Sequence, residues 1–208
     1  MKISEEDLTV LSEEVKRRLS EKRYLHTLGV ERMAKQLGEL FFSEDTVREL
    51  RAAALLHDIA KELPEDEQIA LIRAGKSPVT EEDLSSPPLY HAFAAPEVIR
   101  RDFPAFATEK ILRAVFFHTT GDPSMDSFEK IIFLSDFIED GRTYPACLSA
   151  RERLFSDLSA GKSKETALDC AVLHTLELTV ISLIDRHADI NLRTVRARNS
   201  ILAATFLK

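Results

Sequence analysis

The sequence predicts an all-α fold, and three observations carry that expectation. Apolar residues recur mainly at spacings of three and four, the period of a helix with one buried face. No segment sustains the apolar–polar alternation of a strand, and Val, Ile and Thr never cluster between turn signals as a hairpin requires. Ser, Pro and Gly fall where the periodic runs begin and end, as helix punctuation does.

Roughly ten helices follow from that pattern. Val10, Leu11, Val15 and Leu19 mark the first, and "RYLHTLGVERMAKQLGELF" (23–41) the second. Ser43 is placed to cap a third, with Asp45 in its first turn, running to about Lys61. Pro64 opens a short helix that should stop near Gly75. Pro78 and "SSPP" (85–88) bracket a loop. "LYHAFAAPEVIRRDF" (89–103) comes next, interrupted by Pro96 and closed by Pro104. "TEKILRAVFFH" (108–118), "DSFEKIIFLSDFIED" (126–140), "ACLSARERLFSDL" (146–158) and the long "KSKETALDCAVLHTLELTVISLIDRH" (162–187) follow, and a last helix should cover much of 190–206. There is no internal repeat and no low-complexity linker, so residues 1–208 are expected to form one domain. Its motif-bearing core would span about 20–145, with the helices of 146–208 packed on it.

Bulk properties narrow the function classes. Of the 208 residues, 44% are apolar and 30% charged, the composition of an ordinary globular chain. A net charge of −7 argues against nucleic-acid polymers or anionic membranes as partners, because both need a basic surface. A small anionic substrate stays open, since metals and a few Arg or Lys can reverse the field locally. The N-terminus "MKISEEDLTVLSEEVKRRL" lacks a signal-peptide core, and no apolar stretch is expected to span a membrane. Cys147 and Cys170 stand outside any CxxC pattern, so two reduced thiols in a cytoplasmic protein is the simplest expectation.

Several polar residues are out of place. A lone histidine on an apolar helix face is more often a hydrogen-bonded core residue than a ligand, and His174 and His187 keep that reading. His26, His57, His91 and His118 differ as a group, because each lies in or at the end of an expected helix among apolar neighbours. Asp58 in "ALLHDIA" and Asp136 in "IIFLSDFI" share that setting. An ionised aspartate there costs several kcal/mol unless paired or metal-bound. A divalent metal satisfies several such residues at once, since imidazole nitrogen and carboxylate oxygen both suit Fe, Mn, Zn or Co. Lys61 stands four residues after His57, and Arg23 three before His26, so each ligand position has a cation one turn away. That spacing suits a polyanion over a metal. Either cation taken singly is slightly better explained as a solvated surface charge.

The ordered set His26, His57-Asp58 and Asp136 resembles the H…HD…D signature of the HD-domain metal-dependent phosphohydrolases. "RYLHTLGV" (23–30), "LLHDIAK" (55–61), "HAFAA" (91–95), "FFHTTGDPSM" (116–125), "EKIIFLSDFIEDGR" (129–142) and "TVRARN" (194–199) are similar to the successive motifs of its YqeK-type subgroup, the symmetrical bis(5'-nucleosyl)-tetraphosphatases. The resemblance runs from residue 23 to 199 and departs from the subgroup at Ser135, Asp140 and Ala188.

That resemblance implies an enzyme that hydrolyses the central phosphoanhydride of diadenosine tetraphosphate, or a related dinucleoside tetraphosphate, to two nucleoside diphosphates. It implies one or two divalent transition-metal ions, iron first and manganese or another metal after it. His26, His57, Asp58 and Asp136 would hold one ion. His91 and His118 would complete a second site, with Asp58 bridging, or contact phosphate directly. Lys61, His91 and His118 would serve the chemistry, and Lys61, Arg142, His91 and His118 would balance developing charge. Arg23 and the turn Thr119-Thr120-Gly121 would place the nucleotide, although that turn is equally well read as a helix C-cap. Asp136, Phe137, Arg198 and Asn199 enter as binding candidates by the resemblance alone. A homodimer is a further expectation of the resemblance. The alternatives are another HD-type phosphohydrolase (a 5'-nucleotidase, a guanosine tetraphosphate hydrolase or a cyclic dinucleotide phosphodiesterase) or a noncatalytic nucleotide-sensing helical domain.

Overall fold

The computed structural model describes residues 2–206; Met1 and residues 207–208, at the ends of the expected domain, lie outside them. Among the described residues there are ten α-helices and no strand. Helix α1 (Glu5–Arg18) starts at Ser4, whose hydroxyl accepts from the Asp7 N–H while the Asp7 carboxylate accepts from the Ser4 N–H. Leu8, Leu11 and Val15 face the core, but Val10, counted above with the buried stripe, is 62% exposed. Ser20 caps α2 (Glu21–Phe41), which packs on α3 (Glu44–Leu56) and α7 (Ser127–Ile138).

Helix α3 stops five residues earlier than expected. Beyond Leu56 the backbone closes three-residue turns instead: Ile59 N–H donates to Leu56 O, Lys61 to Asp58 O and Leu63 to Ala60 O. His57 is thus the C-cap, and His57-Asp58 sit on a turn at the end of the helix. Ser43 stands at the N-cap of α3 without a capping side-chain bond.

Helix α4 (Glu65–Ala74) runs from Pro64 to Gly75 as the sequence predicts. Helix α5 (Tyr90–Asp102) runs through Pro96 rather than breaking there. An interior proline costs about 3 kcal/mol, but nine residues of α5 are buried, and tertiary packing on α4 and α6 (Glu109–Phe117) outweighs that local cost. Asp126 and Glu129 form a capping box at the start of α7. The chain ends in α8 (Pro145–Ser159), α9 (Lys164–Asp185) and α10 (Leu192–Phe206), which stack on one another and on α7. Cys147 and Cys170 are buried and unbridged.

Helix α9 corrects one expectation. It is 22 residues long with a window of mean hydropathy 1.7, so by length and composition it could cross a membrane. Its first half packs into the core through Leu168, Val172, Leu173 and Leu176, the behaviour of a core helix. A second feature is an ionic clasp across the fold. The buried Asp83 carboxylate accepts from Thr80 N–H, from Asn191 Nδ2 at 3.0 Å, and from Arg193 at 3.0 and 2.9 Å, tying the 77–89 segment to the start of α10.

Candidate metal centre

Five elements converge on one point. Helix α2 supplies His26, the turn after α3 supplies His57 and Asp58, the first turn of α5 supplies His91, the C-cap of α6 supplies His118, and the last turn of α7 supplies Asp136. His57 and His118 are positioned by the same device. Each ring donates from Nδ1 to the carbonyl three residues earlier, His57 to Ala54 O at 2.7 Å and His118 to Val115 O at 2.6 Å. That bond fixes the tautomer and leaves Nε2, the other ring nitrogen, as a lone-pair donor aimed inward.

The two oxygens of Asp58 face different histidine pairs. Oδ2 lies 3.4 Å from His57 Nε2 and 3.8 Å from His26 Nε2. Oδ1 lies 3.3 Å from His91 Nε2 and 3.7 Å from His118 Nε2. Asp136 Oδ1 closes the first group, 3.0 Å from His26 Nε2 and 3.8 Å from His57 Nε2. The ligand atoms of His26, His57 and Asp136 lie within 4.8 Å of one another, and so do those of His57, Asp58 and His118.

The donor set fits a divalent metal, and the decisive sign is an unmet need. His57 is fully buried, yet its Nε2 has no hydrogen-bond partner; neither has the buried Nε2 of His26, because Asp136 is close without the alignment an N–H would require. Unpartnered buried nitrogens are costly. A cation on the inner side of these rings satisfies both, and N/O donors of this kind suit transition metals.

The electrostatics agree with ionised acids and a neutral His91, whereas at His26 burial is outweighed by Asp136, which raises it. Burial alone would raise the Asp58 carboxyl, but His57, His118 and His91 outweigh it and hold it well below the usual carboxylate range. At Asp136 burial is likewise overcome, by His26 and Arg142. Burial pushes His91 well below an ordinary histidine and lowers Lys61.

Basic side chains ring the acids. Arg23 Nη1 donates to Asp58 Oδ2 at 2.8 Å, Arg142 Nη2 to Asp136 Oδ1 at 2.6 Å, and Lys61 Nζ lies 3.1 Å from His91 Nδ1. Arg23 and Lys61 are therefore engaged at the site rather than solvated at random. A cleft of about 810 Å³ opens outward from His26, Arg23 and Arg142.

Other sequence-predicted residues lie elsewhere. The Gly121 N–H is spent on Phe117 O at 2.8 Å, and φ is +67° there, so Thr119-Thr120-Gly121 is a helix C-cap turn. Thr120 Oγ1 donates to Gly121 O, and Thr119 lines a separate cavity of about 290 Å³. Phe137 is half-buried against the core. Arg198 is paired with Glu177 of α9 at 2.6 Å and lies beside Asn199; neither lines these two cavities. Of the three departures, Ser135 is buried with an unpartnered hydroxyl, Asp140 is exposed, and Ala188 lines the smaller cavity.

One residue was missed. Buried Glu139 holds His26 from behind, Oε1 lying 3.3 Å from Nδ1, while its Oε2 accepts the Gly141 N–H at 2.6 Å. Carboxylates in this position fix a ligand histidine's tautomer and basicity. Gly29, one turn along from His26, makes the room, since a Cβ there would sit 2.2 Å from Glu139 Oε2. The signal was available: a glycine inside a strongly helical run costs about 1 kcal/mol and marks a close approach.

A family model described as HD domain matches residues 23–192. The chain belongs to the HD domain family. HD-family relatives agree over most of its length. A protein of Bacillus subtilis (strain 168) named "Bis(5'-nucleosyl)-tetraphosphatase, symmetrical" is 33% identical over 173 residues, 83% of this chain and 86% of its own. One of the same name from Halalkalibacterium halodurans is 33% identical over 190 residues, 90% of this chain and 93% of its own. A solved structure described as a predicted HD superfamily hydrolase involved in NAD metabolism, from Clostridium acetobutylicum, superposes with a TM-score of 0.80 at 28% identity, covering 98% of this chain and all of that one. This chain is a hydrolase of the HD class, a family that binds divalent metals, and its clustered His and Asp side chains could hold one.

Proposed function

We propose that this HD domain hydrolyses the central phosphoanhydride of diadenosine tetraphosphate, or a close dinucleoside tetraphosphate, to two nucleoside diphosphates. The observation that carries the reading is the split carboxylate of Asp58, one oxygen toward His26 and His57 and the other toward His91 and His118. It supports one divalent ion that His26, His57, Asp58 and Asp136 would hold, and a second that Asp58, His91 and His118 would hold if those histidines do not instead contact phosphate. Four imidazoles and two carboxylates suit a transition metal rather than an all-oxygen magnesium site, and the resemblance to the YqeK-type subgroup favours iron among them. When bound, the ions would supply Lewis-acid polarisation and a nucleophilic water. The names of the relatives support the substrate.

The chain's own groups do the rest. Arg23 and Arg142 occupy the site acids and lie within reach of a polyanion entering from the cleft. Lys61 brings a cation to the His91 side. Phosphoryl transfer demands mostly positioning and neutralisation of this kind. One oxygen from water joins the phosphorus on one side of the central bond, and the bridging oxygen leaves with the other half. Anion-exchange chromatography of the products tests this. ADP alone is expected; AMP with ATP, or loss of a terminal phosphate, overturns it.

A further inference from the structure

The metal cluster accounts for only the inner end of the 810 Å³ cleft. Its outer end has a different chemistry. Leu25, one residue before the ligand His26, is 59% exposed, and Tyr144, two residues after Arg142, is 70% exposed; both line this cleft. The Tyr144 side chain makes no hydrogen bond and no aromatic contact among the described residues, although its carbonyl accepts from Leu148 N–H at 3.0 Å. It is nevertheless held in place. Arg151 grips the preceding loop by donating to the carbonyls of Ile138, Glu139 and Arg142, and Pro145 locks the first turn of α8 directly after the ring. A large aromatic side chain on a braced loop, sharing a cleft with an exposed leucine beside the candidate metal centre, is unexplained by packing.

Charge completes the picture. Lys22, one turn before His26 on α2, and Arg32, further along the same helix, also line this cleft, and neither has an ion-pair partner among the described residues. Four basic side chains face three acids, and two of those acids are engaged, Glu62 by Ser20 and Glu139 by His26 and Gly141. The volume is within the about 300–1,000 Å³ typical of small-ligand sites.

Building on the proposed hydrolysis, we infer that the outer cleft seats one nucleoside half of the substrate, the base against Tyr144 and Leu25 and its phosphates within the field of Lys22 and Arg32. The ring recognises the face of the base, which every purine offers, so adenine and guanine are accepted alike and pyrimidines less well. Stacking of this kind is tolerant of base identity.

The test measures binding of ADP, GDP and inorganic pyrophosphate to the Mn²⁺-loaded protein by calorimetry, alongside turnover of diadenosine tetraphosphate. The wild type should bind both nucleotides at least tenfold more tightly than pyrophosphate, and ADP and GDP within about threefold of each other. Tyr144→Ala should weaken ADP about tenfold, leave pyrophosphate unchanged, and raise KM with kcat within threefold. Tyr144→Phe should restore ADP binding. Unchanged ADP affinity and KM in Tyr144→Ala, while the wild type turns over the dinucleotide, overturns this inference alone. Absence of dinucleotide turnover in the wild type overturns the proposed function itself.

Discussion

Gly29→Ala is a one-methyl perturbation of the metal centre from outside it. The new Cβ would lie 2.2 Å from Glu139 Oε2 and 2.9 Å from its Cδ, so the carboxylate must move. His26 then loses the partner at Nδ1, and the Gly141 N–H loses its acceptor. Removing a group that orients a metal-bound histidine typically costs 10- to 100-fold in metal affinity or activity, about 1.4–2.7 kcal/mol. Against this, alanine inside a helix is more stable than glycine by about 1 kcal/mol. Metal affinity should therefore fall 10- to 100-fold while the melting temperature hardly moves. Titration of the metal-free protein with Mn²⁺ against a competing chelator reads the first quantity, and a thermal melt of the metal-free protein the second. Glu139→Ala should weaken metal binding similarly, and the double variant should be no worse than Glu139→Ala alone, because both act through one contact. Gly29→Ala with wild-type affinity and turnover would refute the positioning role of Glu139.

Other perturbations separate ligands from neighbours. Asp58→Ala and Asp136→Ala should each lower metal content and turnover together, by more than the 10- to 100-fold that losing an outer-shell partner costs; elemental analysis and the product assay read both, and a variant keeping full metal would contradict the assignment. Arg142→Ala should raise KM or lower kcat with bound metal unchanged, because its guanidinium meets Asp136 without being a ligand itself; loss of metal would instead make it a shaper of the site. Chelation should abolish turnover but leave the helical circular-dichroism signal, since Arg23 and Arg142 neutralise the acids when no ion is bound. Acid stability should depend on Asp83. Burial would raise its carboxyl, but Arg193, Thr80 and Asn191 outweigh that and lower it from 3.8 to about 2. A depressed carboxyl stabilises the fold fully above its unfolded value, and the stabilisation is lost as pH falls from about 4 to about 2. The side chain is almost wholly buried, so the full linkage of about 2 kcal/mol applies. Asp83→Asn should erase that part of the acid transition in urea melts between pH 4 and 2; an unchanged profile would contradict it.

Helix identity was legible in the sequence because period and punctuation agree over long runs such as 23–41 and 162–187. Where they failed, packing or a side-chain hydrogen bond decided. Pro96 stays inside α5 because buried neighbours hold it there. His57-Asp58 leave the helix because the imidazole takes the Ala54 carbonyl and the backbone turns tighter. The cluster itself was visible as acids and imidazoles stranded in apolar runs. Glu139 was not, because its role depends on Gly29 opening a gap across two helices 110 residues apart in sequence. The same limit applies to Thr119-Thr120-Gly121, where the sequence allowed either an anion turn or a C-cap and only the spent Gly121 N–H separates them.

The central claim is that His26, His57, Asp58 and Asp136 converge on a divalent ion. Anomalous diffraction from crystals of protein purified without chelator tests it most directly. A transition-metal peak should stand about 2.0–2.2 Å from the Nε2 atoms of His26 and His57 and from an oxygen of each aspartate. A map with no peak among those four side chains, in protein that turns over substrate, would contradict it.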